Sequence, residues 1–246
     1  MTFCNIYTGR VSVAKKSAEE ETMYVGRKMT TDLITVTPDT PLVKARDLLR
    51  EHTIKQVPVV DQQGSLVGIL TDRDIKQAWA SPATTLSIYE LTYVLQKLTV
   101  ESVMVKDPIT LTPSATIERA AKILHERKIG SLPVVEGKKL VGIITSTDLM
   151  EVLLDGLGVQ EESGRLVVLV RDRIGVLADV CTILKDAKIS IVSMITLPLH
   201  KYPGIHELVM RVSSDSRESA VQRLSDAGYR VITEYIQDLD PYLPAE

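Results

Sequence analysis

The sequence predicts an α/β protein in which two copies of one unit precede a third unit with its own order of elements. The duplication is direct. Met29, Thr37, Pro38, Ile54 and Pro58 recur 75 positions later as Met104, Thr112, Pro113, Ile129 and Pro133. Gly68, Thr71 and Asp74 recur 74 positions later as Gly142, Thr145 and Asp148, so one residue is lost in the turn between. After about residue 164 the rhythm changes and no third copy follows. A duplicated unit that ends in Gly-apolar-apolar-Thr-x-x-Asp points to paired ligand sites rather than to one catalytic centre.

Each copy decodes into the same elements. Residues 33–36 and 108–111 are short extended pieces, each followed by Thr-Pro, which disfavours helix at the residue before the proline. A helix comes next, with the apolar stripe Leu42, Ala45, Leu48 and Leu49 in the first copy. Ile117, Ala120, Ala121 and Leu124 form the stripe in the second. Val57-Pro-Val-Val and Leu132-Pro-Val-Val are short strands. Polar turns at residues 61–65 and 136–139 lead to the apolar runs 66–70 and 140–144, which suit strands covered on both faces. A second helix begins at Thr71 or Thr145.

Between the copies, Ser87-Ile-Tyr-Glu90 fits a capping box, and Ile88, Leu91, Leu95 and Leu98 continue as a helical stripe. This predicts a helical insertion for which Trp79 and Tyr93 provide packing. The polar stretch 155–164 marks a domain boundary. Beyond it, residues 165–170 read as a strand, and a helix starts near Gly175 with Leu177, Val180, Cys181 and Leu184 on one face. Strands at 190–197 and 205–212 are joined by a turn at Pro203-Gly204. A helix over 216–227 ends at Gly228, suited to the position after a helix, and residues 229–236 close the set. The order βαββαβ is that of a ferredoxin-like sheet.

Composition bounds the function. At 246 residues, 44% hydrophobic and 25% charged, the chain suits a soluble globular protein with real cores. A net charge of −3 without a basic stripe argues against nucleic acid as a partner. No apolar run approaches the roughly 20 residues that span a bilayer, so no membrane partner is expected. Residues 1–22 lack the apolar stretch of a signal peptide and read as a solvated tail, with Met23 an equally good start. Cys4 and Cys181 fit a cytoplasmic protein with reduced thiols, Cys181 as a buried small hydrophobe. No catalytic or metal residues are expected. His52 and His125 read as helix-surface residues, and His200 and His206 lack a third ligand at metal-site spacing. No P-loop, GxSxG or GxGxxG pattern occurs.

Thr71-Asp-Arg-Asp74 is itself a capping pattern, in which the hydroxyl satisfies a free backbone N–H. Two copies directly after Gly-containing strands also suit a ligand. A helix N-terminus attracts phosphate, a carboxylate could accept two bonds from a ribose diol, and Gly68 and Gly142 would let a ligand approach the backbone. Both readings stand.

On these residues, GILTDRD and GIITSTD above all, the duplicated unit resembles a pair of cystathionine-β-synthase (CBS) domains, a Bateman module. Residues 165–237 resemble an ACT domain, with Asp172-Arg-Ile-Gly-Val-Leu177 as its first strand-to-helix loop. The arrangement is similar to AcuB-type acetoin-utilisation proteins. The resemblance implies a tail at 1–24, CBS repeats at 25–78 and 104–155, and an insertion at 79–103. A linker at 156–164, the ACT domain at 165–237 and a C-terminal tail at 238–246 complete the division.

The resemblance further implies adenosine nucleotides (AMP, ADP, ATP or S-adenosylmethionine) in clefts between the repeats, as regulatory ligands rather than catalytic cofactors. One site would use Thr71, Arg73 and Asp74 with Ile109 and Thr110. The other would use Thr145, Thr147 and Asp148 with Ile34 and Thr35. Lys55 would supply a phosphate-binding cation to the second site, whereas Gly130 and Ser131 supply none to the first, where Arg73 compensates; the Lys55–Asp148 site is therefore the stronger. The ACT loop (Asp172, Ile174, Gly175, Val176, Leu177) implies amino-acid sensing, although Ile174 stands where the family often has proline. A homodimer or larger homo-oligomer, paired through ACT sheets and coupled to a regulated enzyme, is expected. The alternative is an assembly scaffold with empty clefts holding an enzyme or transporter. An enzyme of acetoin or acetate metabolism is a third reading, opposed by the lack of a catalytic cluster.

Overall fold

A computed structural model describes residues 23–80, 97–159 and 162–244. Residues 1–22, with Cys4, and the expected capping box, stripe residues and tyrosines at 87–95 lie outside the described residues. The chain divides into two compact units, Met1–Met150 and Glu151–Glu246. The division falls inside a helix, Ser146–Gly156, rather than in the polar stretch after it.

In the first unit each repeat is a helix followed by an antiparallel hairpin. Helix α1 (Val25–Lys28) precedes the first repeat, which contains α2 (Leu42–Glu51), β1 (Gln56–Val60) and β2 (Leu66–Thr71). Helix α3 (Asp72–Ala80) follows. Strand β3 (Val105–Lys106) opens the second repeat, with α4 (Ile117–Arg127), β4 (Ser131–Glu136), β5 (Lys139–Thr145) and α5 (Ser146–Gly156). The extended pieces ahead of the helices join the hairpins through single parallel bridges, Val36 to Val59 and Leu111 to Val134. Both hairpins shift register at the same place, between Val59 and Val60 and between Val134 and Val135.

One sequence expectation changes here. Leu42, Ala45, Leu48 and Leu49 are all buried, but Ala121 is exposed, and Ile117, Ala120 and Leu124 alone carry the α4 stripe into the core. Trp79 packs on the first-repeat core, with the Arg46 guanidinium 5.1 Å from its ring centroid.

The repeats exchange their leading segments. Residues 23–30 bond the second repeat: Val25 N–H donates to the Ala115 carbonyl at 2.8 Å and Ile117 N–H to Met23 at 3.0 Å, while Thr30 pairs with Ile143. Residues 98–105 return the same bonds to the first repeat. Val100 N–H donates to Thr40 at 2.9 Å, Leu42 N–H to Leu98 at 2.8 Å, and β3 adds to β2. Val25 and Val100, fully buried, are the matching plugs. This exchange also corrects the reading of the two motif glycines. A Cβ at Gly68 would lie 2.5 Å from the Met104 sulfur and 3.0 Å from the Val105 carbonyl oxygen, and one at Gly142 would meet the Met29 side chain. The space is taken by the other repeat's leading methionine, so these glycines admit chain, not ligand. A shared cluster of Leu33, Ile69, Leu140 and Ile143 joins the two hairpins.

The second unit is βαββαβ, as expected. Strands β6 (Ser163–Arg171), β7 (Ile191–Pro198), β8 (Ile205–Ser213) and β9 (Val231–Ile232) form one antiparallel sheet in the order β7-β8-β6-β9. Helices α6 (Val176–Asp186) and α7 (Arg217–Asp226) cover one face, over Leu166, Val168, Leu208 and Met210. The α6 stripe is Val176, Val180 and Leu184; Leu177 is exposed and Cys181 only half-buried, because the helix starts one residue after Gly175 and Val176 takes the core position. The expected closing strand over 229–236 is two residues long. The chain then leaves the edge, and Ile236, Leu239, Tyr242 and Leu243 pack beneath the second face, on Val167, Leu169, Ile205 and Ile232.

Gly68→Ala should destabilise the protein by about 1–3 kcal/mol, because the Val105 backbone cannot yield as a side-chain tip can; denaturant unfolding measures it. Gly175 has φ +89° with open space around its α-carbon, so Gly175→Ala meets only backbone strain, about 1–2 kcal/mol, read as a lower melting temperature.

Candidate functional site

The exchange brings the motif ends of both repeats to one cleft. Each motif Thr ends a strand and each Asp sits in the first turn of the helix that follows. Thr71 N–H and Oγ1–H both donate to Asp74 Oδ2, at 2.9 and 2.7 Å, and Asp74 N–H donates back to Thr71 Oγ1 at 3.2 Å. In the second copy Thr145 N–H donates to Asp148 Oδ2 at 2.7 Å, and Asp148 N–H to Thr145 Oγ1 at 3.3 Å. Both ends are thus reciprocal capping boxes. The bonds that the two carboxylates accept here all fall on Oδ2, which leaves each Oδ1 able to accept from a ligand.

The cleft has a volume of about 850 Å³, within the roughly 300–1,000 Å³ of small-molecule sites. Of the first expected site it gathers Thr71, Arg73, Asp74 and Ile109, but Thr110 does not line it. Of the second it gathers Thr145, Thr147, Ile34 and Lys55, whereas Asp148 and Thr35 do not line it. Of the two motif-end carboxylates, the one on the cleft wall is therefore that of Asp74. The extended pieces of both repeats contribute apolar lining through Ile34 and Ile109.

Sequence reasoning missed several lining residues. Lys128 is held at the end of α4 in the left-handed conformation, φ 53°, as Thr53 is at the end of α2. Asp32 and Asp107 enter as another pair. Both pairs are separated by 75 positions, so the repeat offset itself was the signal that could have found them. Gln56 reaches toward Gly130, where an added Cβ would be 3.5 Å from its Oε1. Ser131, only 6% exposed, has a buried hydroxyl without a hydrogen-bond partner among the described residues.

In the second unit the expected loop is split between roles. Asp172 N–H donates to the Gly204 carbonyl at 2.9 Å, and its carboxylate lies 3.9 Å from His206 Nδ1. Val176 is spent in the core. Ile174 is fully exposed and Leu177 is 41% exposed. Arg173 bonds Asp179 at 2.5 Å; that hydrogen bond, then the charge of Asp179, raises the guanidinium pKa above its ordinary value. Among the described residues no group of three or more His, Cys, Asp or Glu side chains is placed to hold a metal, and no helix is long and apolar enough to cross a membrane.

The CBS domain family matches residues 25–81 and 100–155, and the ACT domain family matches residues 164–228. A CBS domain-containing protein of Dictyostelium discoideum is 34% identical over 131 residues, 53% of this chain and 90% of that protein. The inosine-5'-monophosphate dehydrogenase of Korarchaeum cryptofilum is 37% identical over 136 residues, 55% of this chain but only 25% of the dehydrogenase. The likeness to that enzyme is thus confined to a quarter of its length. A solved Vibrio cholerae structure described as an acetoin utilization protein (AcuB) is 30% identical, with a TM-score of 0.48, over 56% of this chain and 95% of that one. The chain belongs to the CBS-domain family, as a tandem CBS pair followed by an ACT domain.

Proposed function

We propose that the CBS pair is a regulatory sensor that binds an adenosine nucleotide in the cleft between its repeats and couples occupancy to the ACT domain or to a regulated partner. The observation that carries this reading is the convergence of both motif ends, with Asp74, Lys55, Arg73 and Lys128, on a single cleft walled by Ile34 and Ile109. A ribose diol bonds Asp74 Oδ1, the adenine lies on the isoleucines, and the cations face phosphate. Coupling requires only that the ligand prefer one arrangement of the repeats. Since each repeat holds the other's leading segment, a ligand that touches both repeats acts on that shared packing.

In the ACT domain, β7 is an exposed edge strand, with Leu197 47% exposed. We place self-association there, through side-by-side sheets. An amino acid at the 172–177 loop is the proposed second ligand, held against the exposed Ile174 and Leu177. Enzymes of acetoin or acetate use are the first regulated partners to examine.

The second reading, an assembly scaffold, has one observation in its favour: both motif carboxylates already cap helices. Calorimetric titration with AMP, ATP and S-adenosylmethionine separates the two. Asp74→Ala should weaken the bound nucleotide by about 10–150-fold, since a hydrogen bond to a charged group is worth about 1.5–3 kcal/mol. Asp148→Ala, off the cleft wall, should cost stability through its lost cap with a smaller change in affinity. Absence of saturable binding by the wild-type protein would leave the scaffold. Leu197→Asp should lower the sedimenting mass without changing the circular dichroism; an unchanged mass would move the association surface elsewhere.

A further inference from the structure

Both copies of the duplicated unit lead with a methionine, Met29 and Met104, that neither the cleft nor the helix caps use. Each puts its sulfur where a motif glycine has no side chain. A Cβ on Gly142 would overlap the Met29 sulfur and lie 2.8 Å from its Cγ, and one on Gly68 would lie 2.5 Å from the Met104 sulfur. Both glycines are buried. An uncharged, polarizable thioether suits such a slot, and a bulkier or polar group does not.

The attachment on either side of each methionine is short. Met29 N–H donates to the Val25 carbonyl at 2.8 Å, at the end of the four-residue α1, and the next residue, Thr30, meets Ile143 through an isolated bridge. Met104 N–H donates to the Val100 carbonyl at 2.8 Å and precedes the two-residue β3. Short pairings of this kind open locally at less cost than the whole fold. Met29 and Met104 are also partly exposed, so a small oxidant reaches them. Met210 is fully buried and Met194 packs on the ACT core, whereas Met23 and Met150 are 48% and 55% exposed, where an added oxygen is readily hydrated.

We propose that Met29 and Met104 are a paired oxidation site, through which hydrogen peroxide loosens the exchange between the repeats. The sulfur lone pair attacks one peroxide oxygen, the O–O bond breaks, an S–O bond forms, and the other oxygen leaves with both hydrogens as water. Sulfur is oxidised by two electrons and the peroxide is reduced by two. The sulfoxide oxygen has no volume to occupy on the glycine side. It turns toward water and draws the sulfur from its seat, and with it the segment that completes the other repeat. Methionine sulfoxide is returned to the thioether by dedicated reductases, so the change is reversible. The inference is independent of what the cleft binds.

The experiment treats the full chain with hydrogen peroxide and locates sulfoxide by peptide mass spectrometry. Melting is followed by the fluorescence of Trp79, the single tryptophan, which packs on the first-repeat core. Sulfoxide should form at Met29 and Met104 while Met210 stays reduced, and the melting temperature should fall by roughly 5 °C or more. Met29→Leu with Met104→Leu should abolish that fall, since leucine fills a similar volume and takes no oxygen. Met23→Leu with Met150→Leu, both at the surface, should retain it, which keeps the test independent of whether leucine fits the glycine slots. Sulfoxide confined to Met23 and Met150 would overturn the proposal. So would an unchanged melting temperature once Met29 and Met104 are oxidised, or loss of the peroxide effect in the Met23 and Met150 variant.

Discussion

The reciprocal exchange of leading segments is the constraint on which the sensor unit depends. Neither repeat is complete by itself. The first lacks a plug until Val100 arrives from the start of the second, and the second lacks one until Val25 arrives from the start of the first. The motif glycines belong to the same device, because each leaves room for the methionine that leads the other repeat. The cleft is a by-product of this mutual completion. Once two hairpins are held face to face through crossed segments, their strand ends and helix starts necessarily meet between them.

The motif residues serve structure and ligand at once. A Thr and an Asp three residues apart satisfy each other at a helix start through one carboxylate oxygen, and the second oxygen remains for the cleft. The choice between helix cap and ligand site is therefore not exclusive. The two copies differ in placement rather than in local geometry: both form the box, but only Asp74 lines the cavity.

Most of the architecture was legible because it rests on local patterns. The 75-residue offset, the α2 stripe and the βαββαβ order each state themselves within short windows. Four features were not legible, for physical reasons. The role of Gly68 and Gly142 depends on Met104 and Met29, remote in sequence, and a missing side chain does not say what fills its place. The phase of α6 turned on a single residue, since Val176 and Leu177 are both apolar and only the cap at Gly175 decides which faces inward. The repeat helices gave Ala121 and Ala120 equal claims to the core, and tertiary packing chose the latter. In the cleft, Lys128 reaches the site from a left-handed helix end, and nothing in the local sequence marks a lysine as the residue that takes that conformation.

The covered second face of the C-terminal sheet has a consequence for synthesis. Leu166 to Val170 is an unbroken apolar run at the centre of that sheet, buried on both sides in the finished protein. Helix α6, which shields one side, follows it closely, but Leu239, Tyr242 and Leu243, which shield the other, are made only after β9, the sheet's last strand. Until they emerge, the nascent chain carries a short, β-prone, uncharged segment of the kind that seeds intermolecular pairing. The segment after β9 thus acts as a late-arriving guard against aggregation.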